Sequence, residues 1–295
     1  MKENTKSVTP EAFLKRFKSA KSIRDEWQST LERAYDLFLP NRQGFTSTSK
    51  GQSKTVDLYT DVGVQSLTKF SNNIKTKLMP SQQRWAKLQP SGNFKVDMLR
   101  GSITEEQRLA VQNALDVDTE VMFHFLWSSN FDVVATESLK DMGVSTGAFM
   151  IQDNGDPEDP LNFVSVPADQ LVIEEAPTGD IRSAWREWTI KAREVDNMWP
   201  DRKQDPRLNK HITDNPEKDI NVIEGTVYNP ITDKYDYLVY INVSDCKAIF
   251  EASYDVSPWV IFRWDSAPQE TWGRGPAISS LHTMGSLNQL EKDKL

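Results

Sequence analysis

Gly273-x-Gly275, directly ahead of a helix signal at Pro276, is the nearest this chain comes to a phosphate-binding loop. Glycines at such a place let backbone N–H groups approach an anion at a helix N-terminus. The third glycine, the Lys-Ser/Thr pair and the parallel strand–helix–strand setting are missing, so a tight turn into the helix is the expectation. Asp153, Asp156, Glu174, Glu175, Asp201 and Asp205 are the raw material of a two-metal nuclease, which gathers several carboxylates round one scissile phosphate. They fall mainly in turn-like stretches, and a solvated acidic surface accounts for them better. Nucleophilic chemistry has no better start, because no Gly-x-Ser-x-Gly turn exists and Cys246 lies in the polar Asp245-Cys246-Lys247 turn. His124, His211 and His282 are too scattered for metal-ligand spacing. The residues therefore predict no catalytic site, no metal and no cofactor. Nine tryptophans could stack single-stranded nucleic acid, but most aromatics sit at the core phase of their helix or strand. Arg182-x-x-x-Arg186, beside Trp185 and Trp188, is the local exception.

The elements that must position these residues change character along the chain. Phe13, Phe17, Ala20, Ile23, Trp27, Leu31, Ala34, Tyr35 and Phe38 fall on one face of a helix. Thr9 caps it, Pro10 opens it and Leu39-Pro40 stops it. Residues 41–54 read as a loop. A second helix is predicted over Val56–Met79, with Leu67, Phe70, Ile74 and Leu78 on one face. After the extended Arg84–Leu88 piece a third opens at Ser102, with Glu105 completing a capping box, and runs to Trp127. A fourth covers Phe131–Met142. From residue 147 short β-prone runs alternate with turn signals: 148–151, 161–166, 170–173, 181–188, 222–228, 235–243, 248–250 and 259–264. A short helix is expected over 189–198 and a loop over 200–217. The strands lack long crossover helices between them, which predicts antiparallel pairing and an α+β fold.

A last helix runs from Pro276 to the terminal Leu295. On a wheel, Ala277, Leu281, Met284 and Asn288 cluster on one side, and Ser279, His282, Ser286, Gln289 and Asp293 on the other. The polar side faces either bulk solvent or a water-filled channel.

With 295 residues, the chain is long enough for one large or two modest domains, yet only 38% are hydrophobic and mean hydropathy is −0.58. Such a lean composition predicts that some apolar burial lies between chains or in sequence beyond this chain. No run approaches the roughly 18 apolar residues of a bilayer span, so no membrane partner is expected. The net charge of −8 hides an asymmetry: residues 1–100 carry 18 Lys and Arg against 9 Asp and Glu, so the remainder carries a net −17. Such an asymmetry reads first as ordinary solvated surface of uneven sign, and otherwise as a basic flank and an acidic body that meet different partners, or each other between subunits.

Several of these landmarks together resemble the portal, or head-to-tail connecting, proteins of short-tailed phages. They are Trp27 through Arg42; Asp61–Lys77 ending in Leu78-Met79-Pro80; Gln83–Leu88; Ser129-Asn130-Phe131 followed by Glu137 and Gly143; Val164-x-Val166-Pro167; and Trp264, Trp272–Pro276 and Leu281. The resemblance touches the whole chain in the family's order. It departs at Met79, where a small polar residue often precedes the proline, and at the end, because such portals generally continue further. The resemblance implies a helical wing over 1–146, a β-rich body over 147–272 and the start of a stem helix over 273–295, with the chain a truncated or split product. It also implies a homo-oligomeric ring, about a dozen subunits, at one capsid vertex of the virion, assembled in the host cytoplasm. Double-stranded DNA would pass through its channel during packaging and ejection, past Ser279, His282, Ser286, Gln289 and Asp293. A separate terminase motor, a tail adaptor, and capsid and scaffolding proteins would be its partners. A phage metal-dependent nuclease or a structural tail adaptor is the alternative left open by the residues.

Overall fold

The computed structural model describes residues 8–42, 57–243 and 248–295; the loop expected over 41–54 lies outside these residues beyond Arg42, as does Cys246. It is an α+β fold. The helical part comprises α1 (Pro10–Phe38), α2 (Val62–Leu78), α3 (Gly92–Leu99), α4 (Glu105–Ser128) and α5 (Phe131–Val144). The change to strand falls at Thr146. β1 (Thr146–Asp153), β2 (Leu161–Ser165) and β8 (Trp259–Arg263) form one antiparallel sheet in the order β2-β1-β8. β3 (Leu171–Glu175), β4 (Ile181–Lys191), β5 (Asp219–Asn229), β6 (Lys234–Ile241) and β7 (Phe250–Tyr254) form a second, in sequence order and wholly antiparallel. A 3-10 turn (Ala192–Glu194), α6 (Val195–Met198) and α7 (Pro206–Asp214) connect β4 to β5, and α8 (Pro276–Ser279) and α9 (Leu281–Asp293) follow β8.

The larger sheet is covered on both faces, because its strands alternate apolar side chains to each side. One face, with Val172, Trp185, Val227, Leu238 and Tyr240, receives Phe13, Phe17 and Ala20 from the first half of α1. Phe13 stacks on Tyr240 with ring centroids 5.3 Å apart and meets Trp185 edge-on at 6.0 Å. On the other face, Ile190, Ile220, Val222, Val239 and Ile241 lie beneath Val195, Trp199 and Leu208 of α6–α7 and their flank. The rest of that face, Leu171, Ile173 and Ala184, meets the smaller sheet through Met150 and Trp259. The Trp259 indole N–H donates to Thr226 Oγ1 at 2.8 Å, tying the two sheets together. The second half of α1 (Leu31, Ala34, Tyr35, Phe38) enters the same core, and α5 covers the far side of the small sheet through Val134, Phe149 and Phe163.

Several expectations need correction. The capping box of α4 is Thr104 with Gln107, two residues later than Ser102 with Glu105; both reciprocal bonds are formed there. α2 starts at Val62, not before Asp61. β4 continues through Thr189 to Lys191, where its partner β5 supplies ladder bonds, so the helix expected from 189 begins only at 192. Residues 206–214, expected as loop, form α7: Asp205 caps it, accepting from the Arg207 and Leu208 N–H groups, and Pro206 fixes its first turn. α3 was hidden by its Gly92 start and weak periodicity. On α1, Ile23 is exposed and Trp27 only half-buried, while Arg24 takes the inward position.

Candidate functional site

α8–α9 carries the five polar candidates, and its seat is built by residues far apart in sequence. The Trp272–Pro276 strap runs across the junction between α5 and β1. Gly275 N–H donates to Val144 O at 3.0 Å, Gly273 N–H to Thr146 Oγ1 at 3.0 Å, and Ser145 Oγ to Gly273 O at 2.8 Å. Trp272 is fully buried below it. A Cβ at Gly275 would overlap the carbonyl of Gly143, so glycine is what permits this approach. The glycine N–H groups are thus spent on protein carbonyl and hydroxyl oxygens, which removes the anion-binding use of Gly273-x-Gly275.

α5 is held in turn by a buried charge cluster. Asp141 is fully buried; it accepts the Tyr35 hydroxyl at 2.6 Å and pairs with Arg42, whose second amino group donates to Glu137 O at 3.3 Å. Burial raises the Asp141 carboxyl above its ordinary value, against the pull of Arg42 and the Tyr35 bond. Burial and the Asp141 charge raise the Tyr35 hydroxyl further. For Arg42, burial works against the charge, but Asp141 outweighs it and holds the guanidinium protonated. This cluster pins the end of α1 to α5, and α5 carries the strap. Sequence reading did not single out Asp141, because nothing in an isolated helix shows that a carboxylate points inward. Nearby Asp169 is pushed up to about 6 by burial and then by Asp141.

On α8–α9 the two sides are treated differently. Ala277, Leu281 and Met284 are buried, and Ser279, His282, Ser286, Gln289 and Asp293 are all exposed. The apolar side meets this chain's own α1 and α2. Met284 reaches the position of Gly63 on α2, beside Leu37 and Phe38 of α1. Asn288 clamps the segment before α2, accepting from Tyr59 N–H at 2.7 Å and donating to Asp57 O at 3.2 Å. The helix breaks once, at Ser280, whose hydroxyl returns to Pro276 O at 2.8 Å. Past Asn288 the side chains leave the body: Leu290 and Leu295 are exposed. The exposed polar side holds one carboxylate, Asp293, which accepts from Gln289 Nε2 at 2.6 Å.

The six carboxylates considered for metal chemistry do not converge. Asp153 and Asp156 close local turns on the N–H groups of Gly155 and Glu158. Glu174 pairs with Arg16 of α1, and Glu175 with Arg263 of β8 at 3.1 Å. Asp205 caps α7, and Asp201 is exposed. Among the described residues, no three His, Cys, Asp or Glu side chains are placed to hold a metal ion. Arg186 is engaged too: it lies 4.1 Å from the Trp188 ring centroid, donates to Gln170 at 2.8 Å and faces buried Glu224 across β4 and β5. No described helix is long and apolar enough to cross a membrane.

No curated protein matches the chain. The family model of the bacteriophage head to tail connecting proteins, a structural family, matches residues 11–295. That span takes in α1, both sheets and the α8–α9 helix, so the chain belongs to the bacteriophage head to tail connecting proteins.

Proposed function

We propose that this phage connector acts as one subunit of a closed ring, about a dozen copies, at the portal vertex, and that its α8–α9 helix lines a channel for double-stranded DNA. In this reading residues 1–146 form the wing, 147–272 its β-rich body and 273–295 the start of the stem. The single observation that carries it is the division of α8–α9: one side is fixed to α1 and α2, and Ser279, His282, Ser286, Gln289 and Asp293 are left exposed on the other. Uncharged hydrogen-bonding groups with one carboxylate suit weak, sequence-independent contact with a moving backbone. A strongly basic lining would hold phosphates by counterion release and resist sliding. The ring serves packaging by a separate terminase motor, later ejection, and docking of tail adaptor, capsid and scaffolding proteins. It performs no chemistry on the DNA.

The test uses the full-length protein with Cys246→Ser, adding Ser279→Cys, His282→Cys, Ser286→Cys or Gln289→Cys one at a time. A small thiol reagent should modify each in the empty ring, and DNA stalled in the channel should protect each. Leu281→Cys and Met284→Cys, at buried positions, should react slowly in both states. Equal modification of the first four with and without DNA would remove the channel reading.

A further inference from the structure

The exposed apolar surface is unevenly distributed. Ten of the 22 large hydrophobic side chains exposed among the described residues lie between Leu78 and Val133, which makes this segment, not the sheets, the place to look for a partner. Its long helix α4 buries only Thr119 and Phe123 in 24 residues. One side of α4 is held against residues 84–88: Leu88 N–H donates to Thr119 Oγ1 at 3.1 Å, and Arg84 and Lys87 pair with Glu120 and Asp116. On another side Val117 and Val121, four residues apart, form an uncovered ridge, with Val117 58% exposed; exposed Leu109 lies only about 40° from the phase of Phe123 and is not part of it. Val117 and Val121 lie roughly 120° and 160° round the helix from Phe123, so ridge and packed side face apart.

At the base of the same arm is a socket of about 180 Å³, lined by Met79, Trp85, Phe123, Leu126, Trp127 and Phe131. Its walls are aromatic: Trp85 meets Phe123 edge-on at 5.5 Å and stacks on Phe131 at 6.2 Å. Trp85 and Trp127 remain partly open to solvent. Charge follows the same division. Asp118, next to the ridge, and Lys77, two residues before socket-lining Met79, are both exposed and without an ion pair among the described residues.

We propose that the arm is a head-to-tail contact between copies of this chain, the Val117–Val121 ridge of one copy seating against the Trp85–Trp127 socket of the next. This rests on the ring reading above and names the surface that builds it. A protein that carries a convex apolar ridge and a concave apolar socket on different sides of one arm has both halves of a heterologous contact, which repeats by rotation and closes a ring. A two-fold contact would set ridge against ridge and leave the socket unfilled. Asp118 beside the ridge and Lys77 near the socket, where the lining carboxylate Asp132 is already paired with Lys75, favour the same pairing.

The experiment measures the assembly mass of the full chain by light scattering across concentration. Val117→Asp with Val121→Asp should raise the concentration needed for assembly at least 100-fold while far-ultraviolet dichroism stays unchanged. In a Cys246→Ser background, Val121→Cys together with Trp127→Cys should give an oxidative ladder of multimers, and Val121→Cys alone should give none. Rings that form at wild-type concentration despite both aspartates, or dimers from Val121→Cys alone, would overturn the ridge-and-socket contact and leave the ring standing. A wild-type chain that stays monomeric throughout would overturn the ring as well.

Discussion

α1 and α4 are the two longest helices, 29 and 24 residues, and both carry an apolar face. α1 buries nine side chains, running under the larger sheet and then into the joint between the sheets, whereas α4 buries two. Both are capped through a threonine, at Thr9 and Thr104. The difference lies in what is opposite: α1 meets two sheet surfaces within its own chain, and α4 meets one short extended segment and, at its C-terminal end, the start of α5 and the cluster beneath it. An apolar stripe specifies that a face will be covered, and only the fold specifies whether the cover comes from the same chain.

That contrast predicts unequal costs. Phe17→Ala, removing a ring that packs edge-on to Trp185, should cost about 3–5 kcal/mol of unfolding free energy. Val117→Ala, on the α4 ridge, should stay within about 0.5 kcal/mol in the monomer. Denaturant titrations of the two side by side check this, and equal losses would mean that α4 is covered within the chain. Arg42→Met should cost about 3–5 kcal/mol, because it leaves Asp141 buried without its cation. Adding Asp141→Asn should recover part of that loss, and an Arg42→Met loss under 1 kcal/mol would show that the end of α1 is not held by this cluster.

Asp169 gives a pH signature. Its folded value of about 6 exceeds the ordinary 3.8, so the folded state holds its proton longer than the unfolded one. Its contribution to stability is therefore present at low pH and lost as pH rises from about 4 to about 6. Asp169→Asn should raise stability at pH 7.5 by up to about 3 kcal/mol and flatten stability over that window. An unchanged pH profile would place Asp169 in solvent. An intermediate effect is expected at Trp27, half-buried with Arg274 5.0 Å from its ring centroid: Trp27→Ala should cost about 1–2 kcal/mol, between buried Phe17 and exposed Val117.

Much of this was legible in the residues. The period of α1, its Thr9 and Pro10 start and its stop before Pro40 lie in local chemistry, and so does the switch to strands after Val144. The side of α8–α9 that is buried was legible from the wheel, since Ala277, Leu281 and Met284 share a phase. Three things were not. α7 hides in a charged stretch because only Leu208 of its nine residues is buried, leaving little apolar pattern to read. Asp141 occupies a core position through Tyr35 and Arg42, about 100 residues earlier, and spacing cannot show that. The strap at Gly273–Gly275 looks like an anion loop until Val144, Ser145 and Thr146, some 130 residues earlier, are seen to take its hydrogen bonds.

The central claim, a ring with α8–α9 at its axis, is tested most directly by electron microscopy of the assembled full-length protein. Closed particles with rotational symmetry are expected, with residues 276–293 around a central opening and the α4 arm at the subunit boundary. Open filaments, two-fold dimers, or rings with residues 276–293 on the outer wall would contradict the account.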